Sequence, residues 1–128
     1  MGWFDRYKDI SVLEGQVIKE IKQVDTEELY FYMEDGRVFK MYHDQDCCES
    51  VYIEDIIGDL DDLIGTHIGL AEEVTEEGTD SEWGDSFTWT FYKIVSIKGA
   101  VTIRWYGSSN GYYSESVSFV EIDENDNY

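Results

Sequence analysis

The chain has 128 residues and a formal net charge of -20, from 29 acidic and 9 basic side chains. That balance excludes a generic binder of nucleic-acid backbone, which needs cations to displace counterions, and argues against docking on an anionic membrane. Aromatic residues make up 16% of a chain that is 42% hydrophobic, so material for a core is present, whereas acidic disordered chains are poor in it. No apolar run approaches the roughly 20 residues of a spanning helix. The first twelve residues, with Asp5, Arg6, Lys8 and Asp9, lack the apolar core of a secretion signal. One domain is expected over residues 1–122, followed by an acidic tail at 123–128.

Residues 16–24 alternate in polarity and predict a strand. Residues 29–34 and 37–43 flank Asp35 and Gly36, which predicts a hairpin with a type I′ turn. Next, Ile53, Ile56, Ile57, Leu60, Leu63 and Ile64 recur at spacings of three and four, which predicts an amphipathic helix over 53–64. Ser50 is its candidate N-cap and Gly65 its stop. Residues 66–74 read as extended or irregular, and 72–85 as an acidic loop around Trp83. Residues 86–97 and 101–106 form a second hairpin across Lys98 and Gly99; 107–111 make a turn, and 112–122 a last strand. The fold class expected from this order is α+β. It consists of a twisted antiparallel sheet of about five or six strands with one acidic amphipathic helix packed on it.

Charge is uneven along the chain. Between Lys40 and Lys93 there are 15 acids and no Lys or Arg. Within that stretch Glu54, Asp55, Asp59, Asp62, Glu72, Glu73, Glu76 and Glu77 are the candidate partner-binding charges. On a helix Asp55, Asp59 and Asp62 would form one ridge away from the apolar stripe. The plainer reading of the same acids is a solvated, solubilising surface.

Two loops carry residue types capable of chemistry. The first holds His43, Asp44, Asp46, Cys47, Cys48 and Glu49. Its spacing matches no zinc motif, so whether it binds metal stays open. Adjacent cysteines would bridge only with strain, so free thiols are expected. The neighbouring carboxylates disfavour a thiolate nucleophile. The plainer reading buries one cysteine in the core. The second loop holds Ser108, Ser109, Asn110 and Tyr112 among glycines and aromatics. It reads as a recognition loop or as an ordinary hairpin turn. It lacks the following helix and lysine of a phosphate cradle, and a nucleophile elbow.

The runs YHDQDCCESVYIEDIIGDL (42–60) and IRWYGSSNGYYS (103–114) resemble a family of small acidic bacteriophage and prophage proteins. The resemblance covers roughly residues 28–120. It implies a phage-type protein acting in the cytoplasm of a bacterial host cell. The family carries no assigned activity, so no catalytic residue is transferred and no cofactor is expected.

The expected function is that of an acidic interaction protein, more readily a binder than an enzyme. Its carboxylates would imitate phosphates and meet the basic surface of a bacterial protein, inhibiting a defence or nucleic-acid-processing protein as anti-CRISPR proteins do. Neither nucleic acid nor membrane is an expected direct partner. The alternatives are a small metal- or thiol-dependent enzyme using the 43–49 loop and an accessory phage protein without catalytic activity.

Overall fold

The computed structural model describes residues 7–45, 49–79, 86–109 and 115–122. These residues contain eight strands: β1 (Ile18–Val24), β2 (Glu28–Met33), β3 (Val38–Tyr42), β4 (Ser50–Ile57), β5 (Ile68–Thr79), β6 (Ser86–Ser96), β7 (Ala100–Ser109) and β8 (Ser118–Ile122). They form two four-stranded sheets, ordered β1-β2-β3-β8 and β4-β7-β6-β5, with every pair antiparallel. Each sheet is thus a three-strand meander with one further strand beside its last member.

The sheets are held together by one apolar cluster. Leu29, Phe31, Phe39, Met41 and Phe119 come from the first sheet, and Ile53, Ile94, Val101, Ile103 and Trp105 from the second. Each is at most 4% exposed. Alternate residues along a strand point to opposite faces, so these strands each give one face to the shared core. Phe119 stacks on Phe39 with ring centroids 5.2 Å apart. The Trp105 indole N–H donates to the Met41 sulfur at 3.2 Å, tying β7 to β3.

One end of the sandwich is closed by backbone bonds between β1 and the approach to β5. Gly15 N donates to Ile68 O at 2.7 Å, Ile68 N to Gln16 O at 2.9 Å and Gly65 N to Ile18 O at 2.9 Å. Three of the four edge strands carry a register shift, at Ile18/Glu20, Ile53/Asp55 and Ile68/Leu70. Bulges there twist unpaired backbone away from another sheet edge.

The expected α+β class is corrected: among the described residues two sheets are present where one was expected, with eight strands and no α-helix covering either. The predicted 53–64 helix is β4 followed by a 3-10 turn at Leu60–Leu63. The misleading spacing has a physical origin. Val51 and Ile53 face inward two apart, and the bulge before Asp55 adds one residue, so the next inward side chain is Ile56, opposite Ile103. Two plus three imitates a helical step. Leu60 and Leu63 then pack inward from the 3-10 turn, while Ile57 is 50% exposed. Gly58, at φ +107, turns the chain between the two pieces. A Cβ there would lie 2.5 Å from Ala100 O, so glycine alone fits.

Other expectations change as well. Residues 72–79, expected in a loop, complete β5. Ser50, the expected N-cap, opens β4. The turn at Asp35 and Gly36 has positive φ only at Gly36, so it is not type I′. Gly36 N donates to Met33 O at 3.1 Å and Met33 N to Arg37 O at 2.9 Å, the longer hairpin loop that ends on a left-handed glycine. Residues 107–109, expected in a turn, belong to β7. No helix of the described residues is long and apolar enough to cross a membrane.

Candidate functional site

From residue 86, β6 reads Ser-Phe-Thr-Trp-Thr-Phe. Strand alternation must put either the hydroxyls or the rings inside. Here the hydroxyls go in: Thr88 is 9% and Thr90 2% exposed, while Phe87, Trp89 and Phe91 stand partly exposed on the outer face. Register extends that outer face across the sheet. Glu76, Trp89, Tyr106 and Tyr52 form one row, and Val74, Phe91, Arg104 and Asp55 the next. Trp89 and Tyr106 have centroids 4.6 Å apart, Tyr106 and Tyr52 6.0 Å, and Trp89 and Phe91 6.4 Å. The Arg104 guanidinium lies 5.6 Å from the Trp89 ring and bonds Glu54 at 2.5 Å, with Asp55 at 3.6 Å. The bond to Glu54 raises the Arg104 pKa and keeps the side chain charged.

The eight candidate acids do not form one surface. Glu54 and Asp55 border the aromatic face through Arg104, and Glu72 and Glu76 border it on β5. Glu73 and Glu77 project from the opposite face of β5 and line a cleft. Asp59 caps the 3-10 turn, accepting from Asp61 N at 3.0 Å, and Asp62 lies against Gly99. The expected ridge of Asp55, Asp59 and Asp62 does not form, because no helix carries it.

The cleft lies at the other end of the sandwich, about 530 Å³ among Gly78, Thr79, Ser86, Thr88 and residues 115–117. Glu115 sits at its base, 8% exposed. It accepts from Thr88 Oγ1 at 2.8 Å, from Ser109 Oγ at 2.6 Å and from the Ser86 hydroxyl. Burial opposes its ionisation, but the three hydroxyl donors together outweigh burial and hold the carboxyl below the usual range. Nearby, the Tyr92 hydroxyl is buried without a hydrogen-bond partner. Burial first, then Glu73 and Asp9, push its pKa up.

His43 and Glu49 meet the same end. His43 Nδ1 lies 2.7 Å from Ser116 O, and Nε2 2.8 Å from the Glu49 carboxylate. Gln45 donates to Glu49 O at 2.7 Å. The imidazole thus bridges a backbone carbonyl and a carboxylate. The His43 side chain is 4% and that of Glu49 0% exposed, so the pair is buried. Asp44 is exposed. Asp46, Cys47, Cys48, Asn110 and Tyr112, together with Trp83 and the 123–128 tail, lie outside the described residues. Among the described residues no three His, Cys, Asp or Glu side chains come together as a metal group would need. Ser108 pairs with Ser50 and Phe87 on the outer side, whereas Ser109 turns in to Glu115.

Sequence reasoning passed over Glu115, Ser86, Thr88 and the outward rings. The alternation at 86–91 was visible, but its inside and outside are reversed from the usual. A family model described as a domain of unknown function (DUF7448) matches residues 11–119. No curated protein and no solved structure matches the chain.

Proposed function

The chain belongs to the DUF7448 family, and from that premise we propose that it is an interaction protein whose outer aromatic face binds a basic protein partner. One observation carries the reading: Phe87, Trp89, Phe91, Tyr106 and Tyr52 stand in register across three strands on a solvent-facing sheet, bordered by Glu54, Asp55, Glu72 and Glu76. Exposed rings clustered with polar edges are the composition of protein contact surfaces. Trp and Tyr faces attract guanidinium and ammonium groups. Arg104 over Trp89 is an internal instance of that contact. The net charge of -20 would steer a cationic surface toward this face.

The partner class we infer is a nucleic-acid-binding protein of the bacterial cytoplasm, inhibited by carboxylates standing where phosphates would. The phage-type resemblance of the 42–60 and 103–114 runs supports that setting, and the base-free acidic stretch supports that partner. The test is capture from bacterial lysate at low and high salt, followed by purification of the captured protein. Its nucleic acid should be displaced by this chain. Trp89→Ala should cost about 2 kcal/mol of binding, roughly thirtyfold, and Glu72→Lys with Glu76→Lys should flatten the salt dependence. Capture that neither change weakens would overturn the proposal.

A further inference from the structure

We infer that the free edge of β5 is a strand-addition site, which takes an extended basic segment of a partner protein as a fifth strand of the second sheet. The inference rests on the reading of a basic partner and adds how that partner's chain is held. The direction of the backbone groups along β5 can be read from its first residues. Ile68 bonds outward through both backbone groups, to Gln16 O and Gly15 N, and Ala71 N donates outward to the Glu14 carboxylate at 3.0 Å. In an antiparallel pair, residues bonded to the neighbouring strand alternate with residues whose N–H and C=O point away from it. The register with β6 is unbroken from Leu70 to Thr79. The N–H and C=O groups of Glu73, Thr75 and Glu77 therefore point away from β6, on the side where Ala71 points.

Among the described residues no backbone bond reaches these three from outside the sheet, and residues 72–77 are all exposed. The devices that ordinarily close a sheet edge are confined to the start of the strand. The bulge lies at Ile68/Leu70 and Glu14 covers Ala71. From 72 to 79 the sequence holds neither proline nor lysine. What remains is a straight, regular row of unpaired donors and acceptors, the template that an incoming strand completes.

The side chains decide which strand fits. Glu72, Val74 and Glu76 stand on the outer face of the sheet, and Glu73, Thr75 and Glu77 on the cleft face. Directly opposite residues of paired strands bring their Cβ atoms about 4.5–5.5 Å apart, so an added strand sets one side chain against each carboxylate. Lys93 stands across from Glu72 and Lys8 lines a cavity with Glu73, whereas Glu76 and Glu77 face Trp89 and Thr88. The last pair therefore carries most of the selection. A second copy of β5 would set carboxylate against carboxylate, which opposes self-pairing. A strand of two cations, two uncharged residues and two cations matches 72–77 on both faces. The order Glu-Glu-Val-Thr-Glu-Glu is symmetrical in charge, so that strand fits in either direction.

The test is an NMR titration of the isotope-labelled full chain with the end-blocked peptide Lys-Arg-Val-Val-Arg-Lys. Binding should saturate, and the amide protons of Glu73, Thr75 and Glu77 should move downfield as they gain acceptors. The same peptide N-methylated at every residue keeps its charge but cannot donate from its backbone, and should bind about tenfold more weakly. Thr75→Pro removes an outward N–H and no charge, and should weaken the parent peptide by a similar factor. Glu76→Gln with Glu77→Gln should do so too, whereas Asp59→Asn with Asp61→Asn, away from the edge, should not. Trp89→Ala should leave peptide binding within about twofold, so failure of the aromatic face and failure of the edge give different results. The inference is overturned if the methylated peptide binds as tightly as its parent, if the two acid pairs show equal losses, or if no saturable binding occurs. A dimer of the chain that Thr75→Pro dissolves would overturn it as well, by giving the edge to a second copy.

Discussion

Toward the closed end of β6, Tyr92, Ile94 and Ser96 face the interior; toward the other end the inward places go to Thr90, Thr88 and Ser86. The same strand, with the same alternation, buries its large side chains in one half and mostly hydroxyls in the other. The first half meets the opposing sheet through Ile94 and its neighbours in the common cluster. The second half meets Glu115, a carboxylate that can be buried only if donors surround it. Where the interior partner is a charge, the hydroxyls must turn in, and the rings are left outside. The aromatic face and the polar cleft are therefore two sides of one arrangement.

The comparison predicts unequal costs along β6. Ile94→Ala should have the largest effect, about 2–5 kcal/mol, read as a lower urea midpoint with an unchanged slope. Thr88→Val keeps the shape but removes a donor from Glu115, and should cost about 1–3 kcal/mol. Trp89→Ala deletes a larger side chain than either, yet should cost only about 0.5–1.5 kcal/mol of stability, because its ring packs on the outside. If Trp89→Ala proved as damaging as Ile94→Ala, the ring would be part of the core and the contrast would fail.

The Glu115 carboxyl sharpens the comparison through pH. Its pKa in the fold lies below its ordinary 4.5, so its contribution is fully present above that value. The contribution is lost as pH falls through the folded pKa, when the proton displaces hydroxyl donors. Urea titrations of wild type and Glu115→Gln should accordingly differ most near neutrality and converge in acid. Tyr92→Phe should produce the smallest change. Removing a buried hydroxyl without a partner should be neutral or stabilising by up to about 1 kcal/mol, and a clear loss would mean that the hydroxyl is bonded after all.

Much of the strand order could be read from alternation: β1, β2, β3, β6 and β7 fall within a few residues of their expected places. The failures cluster where alternation is interrupted or inverted. At Ile53 and Ile56 a bulge gave strand residues a helix-like spacing. In β5 the run of Glu72, Glu73, Glu76 and Glu77 looked like a loop because an edge strand can be acidic on both faces. At 86–91 the strand was legible but not which side faces in, since the burial of Thr88 depends on Glu115, distant in sequence. Local pattern reports period well. It does not report which face a remote charge will claim.

The position of β8 has a consequence for how the molecule is made. Ser118–Ile122 supplies the fourth strand of the first sheet, pairing with β3, although the whole second sheet is encoded between them. Such a pairing is costly in loop closure and forms late. On the ribosome, β1 to β3 emerge early and wait with the outer edge of β3 unpaired while β4 to β7 are synthesised. During that interval the edge is a template for another nascent chain. Synthesis speed through the second half, or a chaperone that shields an open strand, should therefore govern the yield of soluble protein more than the stability of the finished fold does.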